Sequence, residues 1–431
     1  MRSAWTLGTC EAKKGIVVIC SLDTHAEAIL FVQDLIRRRG HDPILLDFSM
    51  IEAPPFAGDC TCEQVAARGG MPIEKVRESY RRDRDTATNN QIRGGVVTVA
   101  DLWRQGRVHG VIGIGGSIAS LIATSIMHTL PFGLPKLVAS PAAADPAFID
   151  KYVGTRDITM HHTVLEVGRL NPLLKCQLTN AVGAMCGLIE MTRGTEFGSD
   201  KPLVAVSSFD FGETAVRAAL GMLDEAGFMP VVCHAAGRGE RAIEELVRDG
   251  AFAGIIDFCT GGVIENLFRG NRDPGPARLM AAIGRGIPAV IAPGGLDMLS
   301  YGGRADKLAQ TSGRVHYDED APHVQVRTTV EELLLAADTI AERLNRARGP
   351  VTFALPLMGW SALDREDCPL FDPQADGAFA RRLEDSLGSN VALVKVNSNL
   401  DTREFARAAV DEFIRLFSAS TANKQSVANA R

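Results

Sequence analysis

Short, wholly apolar runs alternate with amphipathic stretches of helical period along most of this chain, and the alternation starts over once. Gly15 to Ser21 reads as a strand. Ile29, Val32, Leu35 and Ile36 then recur at helical spacing until Gly40 supplies a stop. Further strands are predicted at Pro43–Phe48, around Val111, at Lys136–Ser140 and at Ile158–Val164, with a closing helix at Leu178–Arg193. After the linker-like Arg193–Pro202 the pattern resumes with strands Leu203–Ser207, Pro230–His234, Gly254–Cys259, Ala289–Ala292, Val351–Leu357 and Ala392–Val396. Strands without a polar face need cover on both sides, so the predicted fold is α/β: two doubly wound, Rossmann-like parallel-sheet domains with a cleft between them. The expected boundaries are 15–193 and 203–417, with a linker at 194–202 and a flexible polar tail at 418–431. Two capping boxes are expected, Thr24–Glu27 and Thr329–Glu332. Two long loops are expected as well, one before a helix at Ile92–Gln105 and one between Ala292 and Val330.

A net charge of −6 gives no electrostatic footprint for nucleic acid or an anionic membrane. No apolar run approaches a membrane span and Met1–Lys14 lacks the apolar core of a signal peptide, so a cytoplasmic protein is expected. Nine cysteines, mostly in apolar contexts, fit reduced thiols. The histidines show no metal-ligand spacing, and no dedicated protein-held metal site is expected.

Ligands of such sheets bind beyond the carboxyl ends of the strands. The richest turn there is Gly113-Ile114-Gly115-Gly116-Ser117-Ile118-Ala119-Ser120, placed between a strand and a helix. Glycines admit close backbone approach, and the amides opening the helix attract anions, so a phosphate or carboxylate guest at Gly115, Gly116 and Ser117 is one reading; a packing turn is the other. Asp23 and Asp47 end the first two strands, and Asp47 holds a place where doubly wound folds contact ribose. Neither G-x-G-x-x-G nor a P-loop is present. Ser117 and Ser361 each lie in a partial strand–elbow–helix, and either would be a nucleophile if a histidine such as His25 served as its base. Asp297 and Glu265 are acid groups near glycine turns of the second half, and Arg156-Asp157 reads as a salt-bridged pair or an anion clamp.

Several ordered stretches together resemble the tobamovirus-multiplication-inhibitor-like ATP-binding family of plant virus-resistance proteins and bacterial relatives. They are Ser21-Leu22-Asp23-Thr24-His25, Gly110–Ser117, Leu130–Lys136, Tyr152–Met160, Pro293–Met298, Arg327-Thr328-Thr329 and Gly359–Asp364. The resemblance implies two α/β domains, a homodimer and an ATP site in the first domain. Carried over by position, that site comprises Asp23, Thr24, Gly115, Gly116, Ser117, Thr155 and Asp157. The chain departs from the family at His25, where relatives carry lysine, and at Ile118-Ala119-Ser120, where they carry a further glycine and threonine. Three functions follow as expectations. The first is binding of ATP or a phosphometabolite, with Mg²⁺ bridging phosphate and a carboxylate such as Asp23. The second is hydrolysis of a small organic acid by a serine, and the third is a non-catalytic interaction module.

Overall fold

The computed structural model describes residues 13–192, 199–320 and 323–429. Two compact units divide the chain, Met1–Glu196 and Phe197–Arg431. Residues 194–198 of the expected linker lie outside the described residues.

The first unit holds β1 (Gly15–Cys20), β2 (Asp42–Asp47), β3 (Gly110–Ile114), β4 (Lys136–Ser140) and β5 (Thr159–His162). They form one parallel sheet in the order β2-β1-β3-β4-β5. Its helices are α1 (Leu22–Arg38), α2 (Cys62–Gly69), α3 (Ile73–Arg82), α4 (Arg84–Arg104), α5 (Ser117–Met127), α6 (Pro146–Tyr152) and α7 (Pro172–Met191). The all-apolar β1 is explained by its two covered faces. Val17 and Ile19 enter a core with Val65, Val99 and Ile122, while Ile16 and Val18 enter another with Ile29, Val32 and Leu178. Each such side chain contributes about 1.5–3 kcal/mol by leaving water. Strand order reverses between β1 and β3, which opens a crevice beyond their carboxyl ends.

The second unit contributes β6 (Leu203–Ser208), β7 (Met229–His234), β8 (Gly254–Cys259), β9 (Ala289–Gly294), β10 (Met298–Ser300), β11 (His316–Asp320), β12 (His323–Arg327), β13 (Val351–Pro356) and β14 (Val391–Val396). Six of these form a parallel sheet ordered β14-β13-β9-β8-β6-β7, and β10-β12-β11 form a small antiparallel one. Around them lie α8 (Glu213–Glu225), α9 (Arg238–Asp249), α10 (Gly262–Phe268), α11 (Met280–Arg285), α12 (Ala305–Gln310), α13 (Val330–Leu344), α14 (Pro373–Ser386) and α15 (Arg403–Asn429).

The architecture is the predicted one: two parallel-sheet α/β units of doubly wound order. Several local expectations change. Ser21, not Thr24, precedes α1, so Thr24 lies inside the helix and caps nothing; Glu27 instead accepts the Leu170 N–H at 3.3 Å. The box at Thr329 and Glu332 forms in both directions, at 3.2 and 2.8 Å. Both expected long loops are structured, one as α2, α3 and the start of α4, the other largely as the antiparallel sheet and α12. The last helix runs past Phe417 to Asn429, through most of the expected tail. No helix among the described residues is long and apolar enough to cross a membrane.

Candidate functional site

Three glycines shape the turn from β3 into α5, each differently. A methyl on Gly113 would stand 2.3 Å from Ala123 Cβ, so this glycine lets α5 lie close on the sheet. Gly115 has φ +143°, in the region that favours glycine, and a methyl there would press Ala119 at 2.6 Å. Gly116 has φ −77°, and a methyl on it would meet only Glu166 Oε2, at 3.8 Å. Among the described residues no backbone acceptor takes the N–H of Gly116, Ser117, Ile118 or Ala119, whereas the Ser120 N–H bonds Gly116 O at 2.9 Å. Ile118 packs partly against the core rather than filling the turn, and Ser117 is exposed. A row of unpartnered amides at a helix start carries a partial positive charge, so this cradle suits an anion.

The cradle lies at the β1/β3 reversal, where the β1–α1 turn faces it. A methyl built on Gly115 would be 3.5 Å from the His25 ring. Burial pushes the His25 pKa down, against the opposing pull of Asp23, Ser21 and Glu166, so at neutral pH the imidazole is uncharged. His25 therefore adds no positive charge beside the cradle. Its Nδ1 lies 2.8 Å from Thr24 Oγ1, which also contacts Ser21 Oγ at 3.0 Å. Glu166, in the loop after β5, has no sequence motif that marks it; only the strand pairing brings it to Gly116.

Asp23 and Asp47 hold the neighbouring loop together. Asp23 Oδ2 accepts the N–H groups of Met50, Ile51 and Glu52 at 3.1, 2.8 and 3.3 Å, and Oδ1 accepts the Ser21 hydroxyl. Asp47 is fully buried, not at a surface open to ribose. Its Oδ1 takes the Leu22 N–H, the Ser49 N–H and the Ser49 hydroxyl. Thr155, Arg156 and Asp157 are not gathered at the cradle. Asp157 bonds Lys136 Nζ at 2.8 Å and the Gly133 N–H at 2.7 Å, and Lys136 opens β4. That places the segment at the amino ends of β4 and β5, while Ser117 follows the carboxyl end of β3. Asp157 is thus ion-paired with Lys136.

In the second unit Asp297 and Ser361 do meet: the Ser361 hydroxyl donates to Asp297 Oδ2 at 2.7 Å. Ser361 is fully buried and its oxygen also accepts the N–H groups of Leu363 and Asp364. No histidine among the described residues bonds Ser117 or Ser361, so the expected serine–histidine pairing is absent at both elbows. Asp297 is pushed up to about 7 by burial, with Asp364 adding to the rise and Arg327 and Ser361 opposing it. Arg327 Nη1 donates to Asp297 O at 3.0 Å and Nη2 to Asp376 Oδ1 at 2.6 Å. Asp364 and Asp376 show in no sequence motif as partners of Arg327; the antiparallel β12 delivers the arginine to them.

Comparison with known proteins matches both halves of the chain. Residues 14–194 fit the N-terminal domain of the uncharacterised protein family UPF0261, and residues 201–417 fit its C-terminal domain. A UPF0261 protein of Clostridium tetani is 31% identical over 94% of this chain and 99% of its own length. One of Brucella suis is 28% identical over 93% of this chain and 95% of its own. The ToMV resistance protein Tm-1 of Solanum lycopersicum is 32% identical over 71% of this chain, which spans 41% of that protein. A monoacylglycerol lipase structure from Paleococcus ferrophilus matches with 12% identity over 50% of this chain and 96% of its own, at a TM-score of 0.28, too low to carry an argument.

Proposed function

The chain belongs to the UPF0261 family, and from that premise we propose that its first unit binds ATP or a phosphorylated metabolite at Gly115–Ser117. The observation that carries this is the row of unpartnered amides from Gly116 to Ala119, opening at the β1/β3 reversal. Phosphate oxygens accept such N–H groups, and the α5 dipole favours their charge. Ser117, exposed at the start of α5, offers a hydroxyl to the same group. Glu166 beside Gly116 would repel a bare phosphate. Glu166 would hold a divalent cation such as Mg²⁺, whose charge would offset that repulsion, whereas the oxygens of Asp23 are already engaged. Serine hydrolysis is disfavoured because no histidine among the described residues bonds Ser117 or Ser361.

Gly116→Val is the clean test. Its φ of −77° and open surroundings accept a side chain, which would then cover the amides. Calorimetric titration of the full chain with MgATP, and separately with small phosphorylated metabolites, is expected to show saturable binding that Gly116→Val removes with an unchanged melting temperature. Absence of heat from every such ligand at millimolar concentration, or equal binding by the valine variant, refutes the proposal.

A further inference from the structure

The carboxyl ends of β13 and β14 border a pocket of about 610 Å³, within the range that holds small organic ligands. We propose that this pocket is a separate binding site for a protonated organic amine with an apolar body. Its walls include Trp360, fully buried, and the unusually exposed Leu357, Met358 and Phe371, at 51%, 55% and 39%. Large apolar side chains left this open around one cavity mark a surface that a ligand covers.

The polar groups set the sign of the ligand's charge. Ser398 lines the pocket, is only 5% exposed, and its Oγ has no hydrogen-bond partner among the described residues. A buried hydroxyl without a partner costs stability unless something binds it. Its neighbour Asn399 is fully engaged: Nδ2 donates to the carbonyls of Met358, Ser361 and Asp364, and Oδ1 accepts the Asp401 N–H. Asp376, from α14, lines the same pocket. Behind it lie two further buried carboxylates, Asp364 and Asp297, and all three share one guanidinium, Arg327. Asp297 Oδ1 has no partner among the described residues, whereas Asp364 is hydrogen-bonded to the Asp376 carboxyl. At the lining, Arg365 is outnumbered by Glu366 and Glu404, and its Nε already bonds Ala362 O. Acceptors and negative charge therefore predominate.

Protons make up the missing positive charge in the free protein. Burial and the neighbouring Asp364 push Asp376 up to about 9, against the pull of Arg327. An ammonium group supplies that charge with N–H donors that Asp376 and Ser398 Oγ both accept, and a carboxylic proton leaves to solvent as it binds. The amine's hydrocarbon part lies on Met358, Leu357 and Phe371. The site is independent of the phosphate cradle in the first unit.

The test uses the full chain at pH 7.5 and two probes of one shape and opposite charge, phenethylamine and 3-phenylpropanoate. Phenethylamine is expected to bind saturably, with heats that vary with the buffer's ionisation enthalpy because a proton is released. The anion is expected to bind at least tenfold more weakly. Asp376→Asn keeps the shape but removes the charge, so amine affinity should fall tenfold or more. Ser398→Ala, which leaves the carboxylates alone, should lower it severalfold. Gly116→Val should leave it unchanged, which separates this site from the phosphate proposal. Equal or tighter binding of the anion, no saturable amine binding by 10 mM (roughly −2.7 kcal/mol), or full affinity in the Ser398→Ala protein overturns the inference.

Discussion

Glu265→Gln should convert a pH-dependent stability into a flatter one. Glu265 lies on α10 and is 3% exposed, with Oε1 accepting the Ser300 N–H at 2.8 Å and Oε2 the Arg272 N–H at 3.3 Å. Burial dominates and pushes its carboxyl up to about 7, with Glu240 adding to the rise and these N–H groups and the Arg272 charge opposing it. The ordinary value is 4.5, so between pH 4.5 and 7 the folded protein keeps a proton that the unfolded chain has lost. The stabilisation is complete below pH 4.5 and is lost as pH rises through 7. At ~1.4 kcal/mol for each pH unit, the interval amounts to roughly 3 kcal/mol. The other raised carboxyls contribute similarly in both proteins and cancel in the difference. Urea denaturation from pH 4.5 to 8, followed by Trp360 fluorescence, is the assay. Trp360 is buried 4.9 Å from Phe379, and Trp5 and Trp103 are best replaced by phenylalanine in both proteins so that the second unit alone reports. Wild type should lose about 3 kcal/mol relative to the glutamine variant across this window. Parallel curves would falsify the reasoning, because they would mean that Glu265 titrates as it does in the unfolded chain.

Other expectations are equally direct. Arg278 is fully buried between Glu240 at 2.7 Å, Glu244 at 3.2 Å and Asp257 at 2.6 Å, so Arg278→Met strands three carboxylates and should cost about 3–5 kcal/mol in chemical denaturation; a loss below ~1 kcal/mol contradicts this. Thr329→Ala removes a working cap and should cost ~1 kcal/mol, whereas Thr24→Ala removes none and should stay within ~0.5 kcal/mol by the same measurement. A serine-reactive fluorophosphonate should leave Ser361 unlabelled, since its hydroxyl is buried and donated to Asp297; peptide mapping that finds the adduct there sinks this account.

The buried strands were readable as short apolar runs bounded by turn residues; β4 matches its expected span, Lys136–Ser140, at both ends. The antiparallel sheet was hidden because β10 has three residues and β11 is His-Tyr-Asp-Glu-Asp, with no apolar alternation. α14 was missed: its charged residues mask a buried face of Ala375, Phe379 and Leu383, although Asp372 caps it and Pro373 stands at its first position. The glycine turn could be read from one dimension, since amide exposure at a helix start is a local property. Which carboxylates surround it could not. Asp23 stood out at a strand end and Glu166 did not, yet the turn after β2 consumes the first and the loop after β5 leaves the second beside Gly116. The end of the sheet that Asp157 occupies likewise depends on its pairing with Lys136.

The contact of Gly113 with Ala123 has a consequence for specificity. Because the helix rests directly on strand backbone there, the separation between α5 and the sheet is set by the absence of a single carbon. A bulkier residue at position 113 would lift the helix like a shim and carry its leading amides outward, changing the aperture available to a guest without touching it. In this fold the gauge of the proposed binding mouth is therefore written at its base, in a buried residue.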